Sequence, residues 1–397
     1  MDFSLVELSA EDAEFQSQAR SFLARHLTPE VSKRASAAGD GFAEELHLAM
    51  GAEGWLERES KGAKDGGFTP VQRRIWDLER RRAGAPMVTW GGTMMILQAV
   101  RTHGSPELLN DLLPRVYRGE ARFAMGYTEP EGGSDVATCK TRAERDGDDW
   151  IINGQKMFTS GAHNCQHIFL LTNTDPTGGR HRNLTMFLVP VDTPGIEIQG
   201  LRTIDGERSN ITFYSDVRIA DVFRIGEVND GWRVLSGPLA SEHGANEPAS
   251  HGLADITTMS NYATIMATVA DRTAAVVAQA DSAGTRPVDD DSVALRLGRA
   301  YARIEVAQST PGLFGRVAIA QTMRDTTPDL MDLLGSVGAL PASATGAING
   351  DAEHLYRWAP LVGIYGGTID VFRNMIAQYV LGLGKPNYSP PKATPKT

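Results

Sequence analysis

Cysteine is scarce. The chain has two in 397 residues, Cys139 and Cys165, and neither sits at metal-ligand spacing. That excludes a zinc ribbon and leaves no disulfide framework. A bridge between the two is not expected in a chain that reads as cytoplasmic. Positive charge is also in deficit: 39 lysines and arginines face 49 aspartates and glutamates, a formal net charge of −10. General nucleic-acid binding needs a basic face to neutralise phosphates, so that class is excluded. Long apolar runs are missing as well. No stretch reaches the length of a membrane span, and Met1-Asp2-Phe3-Ser4 through Glu11-Asp12 lacks the basic start of a secretory signal. The expectation is a cytoplasmic protein with no membrane partner. What the chain does have is size, with 41% hydrophobic residues over 397 positions. That is enough for two or three domains.

Read in order, the chain changes character twice. Residues 1–122 read as a helical domain. Phe15, Ala19, Phe22 and Leu23 recur at helical spacing, Pro70 starts a helix to about Ala83, and Ser105-Pro106-Glu107 is a helix start. Residues 123–230 read as a β domain. Trp150–Asn153, His167–Thr172, Leu184–Val191 and Ile211–Ile219 are β-rich runs, separated by Gly, Asn, Asp and Pro. Residues 231–384 read as a helical bundle, with helical regions at Leu235–Ala280, Val293–Ala307, Leu313–Met323, Pro328–Leu334 and Thr368–Leu381. The first of these is expected to break or kink at Pro248. Residues 385–397 hold four prolines and no periodicity, so a disordered tail is expected. There is no internal repeat.

Most of the readable chemistry lies between Met125 and Ser160. The stretch opens Met125-Gly126-Tyr127-Thr128-Glu129-Pro130-Glu131-Gly132-Gly133-Ser134-Asp135 and closes Gly154-Gln155-Lys156-Met157-Phe158-Thr159-Ser160. The first half is a strand end and a Pro/Gly turn, which bares backbone N–H groups and the hydroxyls of Thr128 and Ser134. Such a turn suits a flat polar ring or a phosphate. The second half is a strand ending in an aromatic ring and two hydroxyls. Either half alone is more often just a turn or a strand end.

Together, at this separation, they resemble the signature of the acyl-CoA dehydrogenases, flavoenzymes that desaturate acyl-CoA thioesters between Cα and Cβ. The order of helical, β and helical regions is similar to that family over nearly the whole chain. The resemblance implies an α+β class: an N-terminal helical domain, a middle β-barrel-like domain that binds flavin, and a C-terminal four-helix bundle. It implies FAD as cofactor. Tyr127, Thr128 and Ser134 are assigned to the flavin and its phosphates. Phe158 is assigned to the isoalloxazine face, where the family more often has Trp. Thr159 and Ser160 follow it, with the Ser160 hydroxyl directed toward N5. Gly335, Thr368 and Asp370 complete the implied cofactor contacts. Arg73, Arg74, Arg80, Arg81 and Arg82 could meet CoA phosphates, but a solvated or intersubunit face is the favoured reading.

The family's reaction needs a base for the α-proton and donors for the thioester oxygen as an enolate forms. Many members carry the base in a Tyr-Glu-Gly-Thr turn. Here that turn is Tyr365-Gly366-Gly367-Thr368, without the carboxylate. Other members place it on the first bundle helix, in a Leu-x-x-Glu-Arg run after Gly-Trp. Here Gly231-Trp232 is followed by Leu239-Ala240-Ser241-Glu242-His243. The resemblance therefore assigns Glu242 as base, with His243 in place of Arg. Glu247 ranks below it, since five residues turn it to another side of a helix and Pro248 follows. The N–H of Gly366 remains available for the oxyanion, and the missing side chain leaves room for a branched or bulky acyl group. Steroid side-chain dehydrogenases of actinobacteria are similar in this turn.

The implied partners are an acyl-CoA substrate, an electron-transfer flavoprotein and a related dehydrogenase chain in an α2β2 tetramer. The last follows from Asp332-Leu333-Leu334-Gly335-Ser336, which stands where the family offers a Gln and a Gly-Gly pair to a neighbour's cofactor. An Asp there would face phosphate oxygens. Two other readings remain: an acyl-CoA oxidase of related fold, and a non-catalytic partner subunit.

Overall fold

A computed structural model describes residues 7–86, 88–242, 260–344 and 347–384. The expected tail at 385–397 lies outside the described residues, as do His243, Glu247 and Pro248. The described chain forms two compact units that divide after Leu239. No helix among the described residues is long and apolar enough to cross a membrane.

Seven helices open the first unit: α1 (Ala10–His26), α2 (Pro29–Ala38), α3 (Glu44–Ala52), α4 (Trp55–Ser60), α5 (Pro70–Ala83), α6 (Val88–His103) and α7 (Pro106–Tyr117). Their ends follow from local chemistry. Ser9 caps α1, and Thr69 and Gln72 form a full capping box on α5, with Pro70 in its first turn. Sequence periodicity passed over α2, which is short and weakly apolar. Its boundary signals were nevertheless present: a Thr28 cap, Pro29, and Gly39 at φ 65° closing it.

The helices bury an aromatic cluster in which Trp55 stacks on Trp76 at 4.5 Å, with Phe15, Phe22 and Phe68 around the pair. Glu59 sits beside it, 6% exposed. One carboxylate oxygen accepts from both Trp76 Nε1 (3.1 Å) and Trp90 Nε1 (2.9 Å), and the other meets Arg80 at 3.1 Å. The α5 arginines find partners within this unit, while Arg73 and Arg82 stay exposed. Arg74 and Arg81 pair with Asp77, Arg82 pairs with Glu79, and Arg73 donates to the Glu59 and Lys61 carbonyls.

The β segment comprises β1 (Phe123–Gly126), β2 (Arg142–Asp146), β3 (Asp149–Lys156), β4 (His167–Asn173), β5 (Leu184–Pro190), β6 (Ile196–Arg202), β7 (Arg208–Ala220) and β8 (Arg224–Ile225). They form one mixed sheet in the order β6-β7-β3-β2-β4-β5-β8, with β1 parallel to β4. Among the described residues the ladder is open, with β6 and β8 as its edges. The turn between β2 and β3 has only two residues, and Gly147 takes its left-handed first position at φ 64°.

β4 and β5 are apolar on both faces because both faces are covered. Phe169, Leu171, Met186 and Leu188 join the core shared with the helices. Their alternates Ile168, Leu170, Phe187 and Val189 join a second core with Trp150 and Val217. Helix α8 (Gly231–Glu242) follows, and Val234, Leu235 and Leu239 pack into the helical core.

The second unit holds α9 (Ser260–Val277), α10 (Asp291–Ser309), α11 (Gly312–Leu333), α12 (Asp351–Val362) and α13 (Ile369–Met375), around Met266, Leu297, Ile304, Ile319, Met323 and Leu355. Two sequence-predicted segments, 313–323 and 328–334, prove to be one helix. Pro328 is tolerated inside α11, where Arg296 and Arg299 of α10 hold Asp329 and Arg296 also reaches Asp332. The fourth long helix, α12, was not predicted, and its own Pro360 near the end obscures its period.

Glu59 generates a stability prediction. Glu59→Ala strands two buried indole N–H groups and leaves the half-buried Arg80 with only Asp77 at 3.7 Å, and should cost on the order of 3–5 kcal/mol. Glu59→Gln keeps an acceptor and should cost less. Urea unfolding followed by tryptophan fluorescence measures both, and an Ala variant as stable as the wild type would show the network to be dispensable.

Candidate functional site

The two halves of the Met125–Ser160 stretch meet through a buried ion pair. After β1 the chain turns at Thr128-Glu129-Pro130, and Glu129 folds inward to 8% exposure. Its Oε1 accepts from Lys156 Nζ at 2.7 Å and from the Thr141 N–H at 2.8 Å, while Oε2 accepts from the Lys140 N–H at 2.7 Å. Lys156, at the end of β3, is fully buried and also donates to the Tyr127 carbonyl at 3.2 Å. Burial alone would raise the Glu129 pKa, but the Lys156 ammonium and the N–H donors hold it down to about 2. Cys139 lies against the same pair, 3.3 Å from Glu129, and burial pushes its thiol up to about 11. It is not a nucleophile at neutral pH.

Sequence reading took Thr-Glu-Pro as a turn and did not single out Glu129 or Lys156. One signal was available: Lys156 keeps the inward parity of Trp150 and Ile152 on β3, so a cation at that place demands a buried anion. Next to the pair, Gly132 is required. A Cβ there would lie 2.3 Å from Thr138 Oγ1.

Past Lys156 the backbone makes an abrupt turn. Phe158 has φ 56°, a left-handed conformation that costs an aromatic residue on the order of 1–3 kcal/mol. It is held from both sides. Met157 N–H donates to the Thr128 carbonyl at 2.8 Å, and Thr159 N–H donates to the Asn210 carbonyl at 2.9 Å. The Asn210 side chain donates back to the Thr159 carbonyl at 3.0 Å and lies 3.1 Å from His163 Nδ1, whose other nitrogen is 3.1 Å from Asp40. The consequence is a ring that stands 53% exposed on a fixed backbone.

Of the residues expected here, Thr128 is half-buried, Ser134 and Ser160 are exposed, and Tyr127 is buried edge-on against Phe169. The Ser160 hydroxyl is 2.9 Å from that of Ser209. Thr159 turns its side chain inward toward Thr212, so it faces the interior rather than the open ring. An exposed aromatic face with polar turn atoms on the same pinned segment fits a flat, polar, ring-bearing cofactor.

The second unit carries the other expected residues. Gly366 and Gly367 both have left-handed backbone, at φ 63° and 89°. That conformation suits glycine and disfavours the Glu found here in many relatives of this turn. Thr368 caps α13 through its hydroxyl, accepting from the Val371 N–H at 3.2 Å. Asp370 is exposed and 3.4 Å from Arg373. Gly335 takes φ 65° just past α11, and Asp332 is neutralised by Arg296 at 2.7 Å. Glu242 is the last residue of α8, one turn after Leu239, which packs into the core of the first unit.

Comparison with known proteins identifies the family. The model of the acyl-CoA dehydrogenase N-terminal domain matches residues 9–120, and that of the acyl-CoA dehydrogenase middle domain matches 124–222. Acyl-CoA dehydrogenase FadE29 of Mycobacterium tuberculosis is 31% identical over 399 residues, covering 94% of this chain and 97% of the relative. Among solved structures, a chain of the ChsE4-ChsE5 complex from Mycobacterium tuberculosis superposes with a TM-score of 0.80 at 28% identity, covering 96% of this chain and 100% of that one. A chain of the Tcur3481-Tcur3483 steroid ACAD gives a TM-score of 0.80 at 25% identity, covering 97% and 100%.

The Glu129–Lys156 lock makes a pH-dependent prediction. The folded-state pKa of Glu129 is depressed from 4.5 to about 2, so its contribution is fully present above about 4.5 and is lost as pH falls toward 2. Lys156→Met leaves Glu129 buried without its cation. It should cost on the order of 3–5 kcal/mol at neutral pH, and that cost should shrink as pH falls, because burial without the ammonium raises the Glu129 pKa and acid then neutralises the stranded carboxylate. Thermal unfolding midpoints followed from neutral to acid pH test this, and a variant with the wild-type pH profile would refute it.

Proposed function

Because the chain belongs to the acyl-CoA dehydrogenase family, we propose that it is an FAD-dependent enzyme that desaturates a branched or steroid side-chain acyl-CoA. Its class, an acyl-CoA dehydrogenase oxidoreductase, follows from membership. The finer reading is carried by one observation: the exposed Phe158 ring, pinned in left-handed backbone between two hydrogen-bonded neighbours. A ring held in this way is prepared to support a second flat ring. When bound, FAD supplies the acceptor for the β-hydride.

The chain's own residues divide the remaining work. Phe158 supports the cofactor ring. Ser160 offers a hydroxyl toward it, and the backbone around Thr128 and Ser134 offers polar contacts. Glu242 takes the α-proton of the thioester. The electron pair left at Cα delocalises onto the thioester oxygen, where the Gly366 N–H donates as charge develops. A buried carboxylate serves as such a base because desolvation moves its pKa toward working pH. The left-handed Gly366 keeps the N–H and frees the space of a Glu side chain, which supports a bulky acyl group.

Electrons are expected to leave to an electron-transfer flavoprotein. A related chain as partner is supported by likeness to two structures whose names pair two gene products, ChsE4-ChsE5 and Tcur3481-Tcur3483. Arg296 on Asp332 reduces the charge repulsion that the sequence suggested there, so the heteromeric reading rests mainly on those likenesses.

Glu242→Gln keeps shape and removes basicity. It should slow anaerobic flavin reduction by roughly 10²–10⁴-fold with FAD content and KM little changed. The measurement is stopped-flow absorbance over a panel of acyl-CoA and steroid-CoA thioesters. Normal reduction in the variant removes Glu242 from the mechanism. Assembly is tested separately by native mass spectrometry of the chain expressed alone and with a neighbouring dehydrogenase gene. A homotetramer holding one FAD per chain would end the heteromeric proposal.

A further inference from the structure

The turn carrying Gly366 is clamped by a residue that sequence analysis did not single out. Arg316 lies in the second turn of α11 and is 5% exposed. Its guanidinium donates to three carbonyls, one at the end of α12 and two in the turn that follows it. Nη1 reaches Val362 at 2.9 Å, and Nη2 reaches Tyr365 at 2.5 Å and Gly367 at 3.2 Å. The Phe372 ring lies 5.1 Å from the guanidinium carbon. The Tyr365 side chain is fixed independently: its hydroxyl accepts from Trp358 Nε1 at 3.1 Å and donates to the Tyr262 hydroxyl at 2.9 Å. Two consecutive left-handed glycines give the turn little stiffness of its own, so these external holds decide its shape.

The shortest of the three bonds goes to a telling atom. The Tyr365 carbonyl and the Gly366 N–H belong to one peptide group. Amide resonance shares the nitrogen lone pair with the carbonyl oxygen. A cation donating to that oxygen draws the density further over and leaves the N–H a stronger donor. Charge-assisted hydrogen bonds are the strong ones, and bonds chained through a polarisable group reinforce each other in a buried setting.

We propose that Arg316 is a positioning and polarising residue for the oxyanion donor: through the Tyr365 carbonyl it orients the Gly366 N–H and strengthens it toward a thioester carbonyl oxygen. The inference rests on the Gly366 reading above. As the α-proton passes to the base, negative charge moves from Cα to the thioester oxygen. The reinforced N–H gains most at that moment, so the effect belongs to kcat rather than KM.

The test uses the holoenzyme and a probe that cannot release a β-hydride, 3-thiaoctanoyl-CoA labelled with 13C at the thioester carbonyl. Isotope-edited infrared spectra report how strongly that carbonyl is polarised when bound. In the wild type its stretch should fall below the solution value. In Arg316→Met it should return most of the way, and kcat should drop about 10- to 100-fold, less than deleting an oxyanion donor outright at its worst, with KM nearly constant. Arg316→Lys keeps a buried cation without the fork and should fall between the two. Flavin content and thermal unfolding verify the fold. If Arg316→Met does not fold, Arg316→Lys decides alone. Wild-type stretch and wild-type kcat in a folded variant overturn the role of Arg316 while leaving Gly366 in place. A wild-type stretch equal to that in solution overturns the Gly366 reading and this inference together.

Discussion

The first unit depends on burying a carboxylate and an ammonium together. Glu129 and Lys156 are 27 residues apart in sequence, one in a turn after β1 and the other at the end of β3. Desolvating either alone would cost several kcal/mol. Together, with backbone N–H groups completing the carboxylate, they tie the turn to the strand. That tie sets Thr128 beside Met157, and the pairing of those two residues in turn forces the backbone at Phe158. The exposed ring is therefore the end of a chain of constraints that begins with a buried charge. The pair also explains why the motif needs both halves: a turn without the lysine or a strand without the glutamate would bury an uncompensated ion.

The legible part of the fold was the part governed by periodicity and by caps. The change from helix to strand between Tyr117 and Phe123 was visible because the apolar period changes there, and the apolar runs of β4 and β5 were visible because both faces are covered. Prolines were the main source of error. Pro328 divided α11 into two predicted segments, although ion pairs from α10 hold the helix together across it. Pro360 helped to hide α12. Both errors treat a local penalty as decisive where tertiary contacts outweigh it.

Among the residues expected at the site, Phe158, Ser134 and Ser160 are exposed, whereas Tyr127 and Thr159 are buried. Phe158, Ser134 and Ser160 were assigned through the resemblance that the two halves carry together, since an aromatic ring or hydroxyl at a strand end or in a Pro/Gly turn is a weak signal by itself. The residues that hold them were not. Glu129 and Lys156 pair across 27 residues, Asn210 and His163 across 47, and His163 and Asp40 across 123, and no local pattern reveals such pairings. The α5 arginines were read as a solvated or intersubunit face in preference to a phosphate site. A run of five looks like a surface for anions, yet each is used within the unit by a carboxylate or a carbonyl.

A common pattern links Glu59, Glu129 and Arg316. Each is a charged side chain taken almost fully out of water, and each spends its hydrogen-bonding capacity on groups that would otherwise be unsatisfied: two indole N–H groups, a turn's backbone N–H groups, or three backbone carbonyls. Apolar packing cannot fix a turn of this kind, because dispersion is non-directional and a turn exposes polar atoms. A buried ion with several donors or acceptors can, since its bonds are directional and strong in low dielectric. Where such an ion grips a carbonyl, it also changes the donor strength of the N–H on the same peptide group. In the second unit the element that shapes the Gly366 turn is therefore the same one that adjusts its chemistry.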